Sequence, residues 1–322
     1  MARKTVIAAL LTALAAPAAG APLFSLPVDC VLGETCYIQQ YMDLDPSSAA
    51  QDYTCGPLSY DGHKGTDFAL ATIAEAKAGV IVRPAAPGTV LGVRDGMDDV
   101  WSGDIDANAI KGRDCGNGLV IDHGGGWHTQ YCHLMNGSVA VKKGDRVSLS
   151  AQLGQIGMSG RTQFPHMHLS VRKDGAPVDP FAPDGAASCE KVRAETLWSD
   201  LPVYQPGAVL SMSFSNAVPE YAEVKAGTAS KMLTPTSPSI IAYSFVFGGR
   251  ESDVLRQTLI GPDNFSVSDD FLVTRNRAQF YRAIGKGRRS NPWPSGTYTA
   301  QAQLIRDGEV ISEKIISVDI TR

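Results

Sequence analysis

Residues 165–180 read PHMHLSVRKDGAPVDP. From His166 to Arg172 polar and apolar side chains alternate, the period-two pattern of a strand with one buried face. Residues two apart share a face, so His166 and His168 are expected to point into one cleft from a rigid support. Working upstream, Leu119 to His123 and Trp127 to His133 are strand-like runs flanking Gly124-Gly125-Gly126, the pattern of a hairpin. Gly79 to Val93, GVIVRPAAPGTVLGV, consists of short β-branched segments broken by Pro and Gly, and Val139 to Leu149 and Leu153 to Ile156 continue that texture. Helical periodicity is weak throughout, so the core is expected to be mainly β.

Downstream, Asp179-Pro180-Phe181 gives way to a stretch rich in Pro, Gly and Ala up to Ala187, where a boundary is expected. Alternating segments then recur at Ala208 to Phe214, Ile240 to Phe247, Thr297 to Ile305 and Val310 to Ile320. These predict a small β-sandwich, with an immunoglobulin-like arrangement among its readings. All six histidines fall before residue 170, so histidine-based chemistry belongs to the first half of the chain.

The composition, 43% hydrophobic and 19% charged over 322 residues, is that of a globular protein of about two domains and excludes a disordered or fibrous chain. Arg3 and Lys4 precede the apolar run Val6 to Ala16, which ends in small residues up to Ala21, the layout of a cleavable secretory leader. The run is shorter than the roughly 18 residues a membrane span needs. No later stretch is apolar enough to cross, so the mature chain is expected to be exported, periplasmic or secreted, with no membrane span once the leader is removed. Six cysteines, Cys30, Cys36, Cys55, Cys115, Cys132 and Cys189, then suit three disulfides of undetermined pairing. Cys132 beside His133 is read as half of a structural bridge rather than as a nucleophile. The formal net charge of −4 becomes more negative when Arg3 and Lys4 leave, which gives no attraction to nucleic acid or anionic lipid. The segment between Arg94 and Cys115 carries Asp98, Asp99, Asp104 and Asp106 but lacks a calcium-loop spacing, and a solvated surface loop is the better reading.

Three pieces carry chemistry: His63-Lys64-Gly65-Thr66-Asp67, Tyr131-Cys132-His133, and His166-Met167-His168. Imidazoles and a carboxylate are a fitting donor set for catalytic Zn²⁺, which takes three protein ligands and keeps a position open. Neither HExxH nor GxSxG occurs, which removes the zinc-helix and serine-hydrolase readings. Each piece alone is weak; their order within one β-rich stretch is what makes the set specific.

From about Tyr60 to Pro183 the chain resembles the lysostaphin and LytM zinc endopeptidases, the family-23 metallopeptidases. The resemblance rests on DGHKGTDFA, AAPGTV, GNGLVIDHGGGW, YCHL, KKGDRV, GQIGMSG and PHMHLSVRKDGAPVDP. It implies a β-sheet peptidase domain of the duplicated-hybrid-motif fold, one Zn²⁺ per chain held by His63, Asp67 and His168, and catalytic roles for His133 and His166. It also implies peptidoglycan as substrate, through hydrolysis of its peptide cross-links. Other readings are a non-catalytic wall-binding activator of another hydrolase, or a secreted protease on Gly-rich proteins. His123 matches a family position near the hairpin turn that does not bind metal, His128 falls where the family is variable, and Asn117 reads as a turn residue before a strand. Phe164 stands where a small residue usually precedes Pro-His, Ser150 replaces a usual turn glycine, and the loop from Arg94 to Cys115 is longer than common. The expected organisation is leader 1–21, N-terminal extension 22–59, zinc peptidase domain 60–185, linker 186–202 and β-sandwich 203–322.

Overall fold

The strand carrying the two histidines lies near the middle of a large antiparallel sheet. The computed structural model describes residues 20–101, 104–106, 108–185, 195–289 and 291–321. Residues 1–19 of the expected leader, Cys189 and most of the expected linker lie outside the described residues.

The first half comprises β1 (Tyr37–Gln40), β2 (Thr66–Ala69), α1 (Ile73–Ala78), β3 (Ile81–Val82), β4 (Gly88–Arg94), β5 (Asn117–Gly124), β6 (Trp127–Leu134), β7 (Arg146–Val147), β8 (Gly154–Gln155), β9 (His166–Lys173) and β10 (Ala176–Val178). Its sheet runs β1-β2-β9-β6-β5-β4-β7, with β10 paired to β9, while β3 and β8 form a separate pair. The hairpin read from the Gly-rich turn is β5 and β6, and the mainly β expectation holds. The stretches Val139 to Leu149 and Leu153 to Ile156 form only the two-residue strands β7 and β8, because Gly144 and the turn at Ser148 break them.

Alternation decides which face of β9 is which. Met167, Leu169 and Val171 are buried in the main core with Phe68, Ile121 and Tyr131, so His166, His168, Ser170 and Arg172 face the other way. Beneath the sheet an aromatic cluster of Tyr41, Tyr53, Phe181 and Trp198 closes the core, with Phe24 edge-on to Trp198. Truncating a fully buried ring such as Phe181 to alanine would cost about 3–5 kcal/mol. The segment before residue 60 is woven into this architecture: β1 pairs with β2, with Ile38 opposite Phe68. α1 begins with a capping box in which Thr72 and Glu75 satisfy each other's backbone N–H groups.

The second half comprises β11 (Ala208–Ser215), α2 (Tyr221–Ala226), β12 (Ser239–Gly249), β13 (Val254–Ile260), β14 (Ser266–Leu272), β15 (Arg277–Gly287), β16 (Gly296–Arg306) and β17 (Glu309–Ile320). A three-stranded sheet, β11-β12-β15, faces a four-stranded one, β14-β13-β16-β17. Phe214, Ile240 and Ile284 from one sheet pack with Leu259, Tyr298 and Ile320 from the other, which makes the pair a sandwich. Its β12 and β15 abut β1: Phe247 packs on Tyr37 at 4.5 Å between ring centroids, and Gln279 bonds the Tyr37 hydroxyl and the Gln39 side chain. Among the described residues no helix is long and apolar enough to cross a membrane.

Candidate functional site

β2 and β9 lie side by side with Asp67 opposite His168 and Ala69 opposite His166, so the first motif and the last meet across one strand pair. His63, just before β2, completes the group. His63 Nε2 lies 3.2 Å from Asp67 Oδ1 and 3.2 Å from His168 Nδ1, and His168 Nδ1 lies 2.7 Å from Asp67 Oδ1. Gly65 permits this closeness: a Cβ there would run into the Leu169 carbonyl and stand 2.6 Å from His168 Nε2.

The outer nitrogen of each ring has a hydrogen-bond partner. His63 Nδ1–H donates to the Tyr41 carbonyl at 2.7 Å, since a carbonyl only accepts, and this leaves the Nε2 lone pair facing Asp67. His168 is turned the other way: its Nε2 lies 2.9 Å from Ser170 Oγ, a hydroxyl that can donate or accept, and its Nδ1 faces inward. Three lone-pair atoms about 3 Å apart repel one another unless a proton or cation sits among them. Their spacing is close to the roughly 3.3 Å edge of a tetrahedron whose metal–nitrogen bonds are about 2.0–2.1 Å. His63, Asp67 and His168 can therefore hold a metal ion, and they are the one such group among the described residues.

Electrostatics agree with that reading. Burial alone would push the Asp67 carboxyl up, but the charges of His63 and His166 and hydrogen bonds from His168 and His63 hold it well below the usual carboxylate range. Burial opposes charge on His63, yet Asp67 beside it raises its pKa.

His133 reaches the same cleft by a different route. In β6, Thr129 and Tyr131 are buried while Gln130 and Cys132 line the cleft, so strict alternation would turn His133 toward the core. A bulge prevents this. Cys132 and His133 together stand opposite Gly118, and His133 adopts a left-handed backbone with φ 63°. Gly118 makes room, because a Cβ there would collide with the Tyr131 carbonyl. The Cys115–Cys132 disulfide and the 2.8 Å bond from His133 N–H to the Cys115 carbonyl fix the bulge, so Cys132 is structural, as expected. His133 Nδ1–H donates to the Ser159 carbonyl at 2.8 Å, and His166 Nδ1–H to the Phe164 carbonyl at 3.0 Å, leaving both Nε2 atoms for the cleft. Their rings are 4.6 Å apart. Burial, helped by repulsion from His166 and His168, holds His133 far below the usual imidazole range, and burial lowers His166 as well.

The cleft holds about 900 Å³. Tyr60 stacks on His63 and Phe164 on His166, each at 4.5 Å, and both rings line the cleft. Burial and Asp67 raise the Tyr60 hydroxyl to about 12, so it stays protonated. Ile105, from the long acidic loop, also lines the cleft.

That loop lies at the surface, with Asp95, Asp98, Asp104 and Asp106 exposed, and it is tied down at its start. Asp99 accepts the backbone N–H groups of Met158 and Asn136, Asp98 accepts the Asn136 side chain, and Asp95 accepts the N–H of Gly137. These carboxylates pin the loop to the neighbouring turn. Asn117 sits at the start of β5, not in a turn, and is fully buried, exchanging bonds with both backbone groups of Met97 and donating to Leu134 O. An Asn between two glycines gave no hint of this. His123 is held by Pro87 O and Thr129, and His128 lies 3.8 Å from Asp122, both away from the metal-binding group.

The β-sheet cleft gathers two imidazoles and a carboxylate that can hold a cation, with two further imidazoles beside them, and residues 61–180 match Peptidase family M23 and form a domain of that family. The chain is similar to Peptidoglycan DD-endopeptidase ShyA of Vibrio cholerae, 32% identical over 117 residues that make up 36% of this chain and 22% of that protein. It is 32% identical to Peptidoglycan DD-endopeptidase ShyB of the same organism over 122 residues, 38% of this chain and 23% of that one. These matches span less than a quarter of either relative's length. Among solved structures, a zinc containing peptidase from Vibrio cholerae shares 26% identity at a TM-score of 0.33, covering 49% of this chain and 39% of that one.

Proposed function

We propose that this chain is an exported, zinc-dependent endopeptidase that hydrolyses peptide cross-links of bacterial peptidoglycan. The observation that carries the reading is the convergence of His63, Asp67 and His168 at one open cleft within the M23 domain. Two nitrogens and one carboxylate oxygen suit Zn²⁺ among common biological metals. The names of the relatives supply the substrate class.

When bound, zinc would polarise the scissile carbonyl and acidify an attacking water. The remaining steps belong to side chains. His133 and His166 present unprotonated Nε2 atoms to the cleft, and burial keeps them neutral, as a base needs. One of them accepts the proton of the attacking water at Nε2, and that same proton is passed to the leaving amine, so the pair ends the cycle neutral as it began. The carbonyls of Ser159 and Phe164 hold the two rings in the tautomer this requires. The Tyr41 carbonyl does the same for His63, and Ser170 orients the His168 ring.

The test is digestion of purified cell-wall sacculi by the mature protein, with fragments identified by mass. Loss of cross-linked dimers, abolished by a chelator and restored by zinc, is the expected result. Sacculi left intact by zinc-loaded protein would sink the proposal.

A further inference from the structure

The cleft continues well past the metal-binding group along β9. His166, His168, Ser170 and Arg172 share its cleft face, and Arg172 lies four residues beyond His168, about 13 Å along the strand at ~3.3 Å per residue. Arg172 Nη1 donates to Gln130 Oε1 at 2.8 Å. Gln130 is opposite Ser170 on β6 and also lines the cleft. This neutral partner orients the guanidinium without cancelling its charge. Among the described residues Arg172 makes no ion pair, whereas Arg161, the other arginine of the cleft, lies 3.9 Å from Asp114. With Nη1 tied, the edge formed by Nε and Nη2 stays available, and that edge matches a carboxylate with two parallel bonds.

We propose that Arg172 is a specificity-determining residue that binds a free carboxylate on the substrate peptide, about four residue lengths along the cleft from the bond being cut. The inference rests on the peptidase reading of the same cleft and adds the chemistry of its far end. Gln130 acts as a positioning residue. An extended peptide rises by about 3.3 Å per residue, so a carboxylate several residues from the scissile bond reaches Arg172 while the peptide lies along β9. Neutral peptides of the same length gain nothing there, and the bare guanidinium disfavours a cationic side chain at that position.

The test measures binding separately from cleavage. An uncross-linked wall stem peptide with free carboxylates, and its twin with those groups amidated, are titrated into the zinc-loaded full chain. The wild type is expected to bind the free acid about tenfold or more tightly than the amide, the range of a hydrogen-bonded charge pair. Arg172→Gln should bind both peptides at the amide level, with zinc content and melting temperature unchanged, and Arg172→Lys should fall between because it keeps the charge but loses the fork. Equal binding of both peptides by the wild type, or a preference retained by Arg172→Gln, overturns the proposal. Intact sacculi together with a preserved carboxylate preference would instead sink the endopeptidase reading and leave the Arg172 site standing.

Discussion

Gly65 sets how closely the chain before β2 approaches β9. Its missing side chain is what lets Asp67 and His168 meet, so Gly65→Ala should displace the His168 ring. We expect metal affinity to drop about 10–100-fold, as when a supporting contact to a ligand is lost. Competition against a chromogenic chelator measures it, and unchanged affinity would show that the ring tolerates the push. Replacing Asp67 or His168 should remove zinc and turnover together. His133→Ala or His166→Ala should keep most of the zinc while turnover falls about 10²–10⁴-fold, the usual share of a proton-transferring group; metal loss in these two variants would overturn the division of roles. pH adds a third check, on the metal-free protein. His123, His133 and His166 have lowered pKa values, so their contribution to stability is full above about 6.5 and is lost as pH falls below it. His63, raised, contributes most below that value and loses its contribution as pH rises through its folded pKa. Three groups oppose one, so melting temperature in chelator should fall between pH 7 and 5; a rise would contradict the balance. His63, Asp67, His166 and His168 stood out in the sequence because HxxxD and HxH have fixed spacing, and His133 stood out only through its place in Tyr131-Cys132-His133. What brings His133 into the cleft was not legible, since a bulge with a left-handed residue has no spacing signature.

At the scale of elements, β6 depends on the Cys115–Cys132 bridge to hold an irregular backbone where His133 leaves the strand. The bridge spans 17 residues of sequence, for which loop-closure entropy gives about 3 kcal/mol. The double variant Cys115→Ser/Cys132→Ser should lose about that much in a denaturant titration, with zinc retained, because the three metal-binding residues sit on β2 and β9 and the turn before them. Loss of zinc along with stability would mean that β6 supports the metal group more directly. The strands β5, β6, β9, β11, β12, β16 and β17 could be read from sequence, β12 through its long apolar run rather than through alternation. β13, β14 and β15 could not: β14 is SVSDDFL, mostly exposed, and has no apolar face to betray it. β1 escaped because its residues are nearly all buried, leaving no contrast between faces.

On the scale of the whole molecule, the sandwich covers what would otherwise be the bare edge of the peptidase sheet. Gln39 is fully buried, and its amide bonds only to Ala278 and Gln279 of β15. Removing residues 206–322 should leave it unsatisfied, at roughly 1–3 kcal/mol, and open β1 to other chains. Light scattering should show the shortened protein self-associating; a stable monomer of undiminished melting temperature would argue that the contact is incidental. No pattern in either half foretold this seam, because it is made of side chains that look ordinary within their own strands. The pairing of β2 with β9 carries a further consequence for how the molecule is made. Asp67 and His168 are neighbours in space but 101 positions apart along the chain. During synthesis, His63 and Asp67 appear long before their third companion, and an ion arriving in that interval meets only two donors. Firm capture has to wait until nearly the entire first half has been laid down and the most distant strands have found each other. The rate of metal uptake during refolding should therefore report when β2 closes on β9.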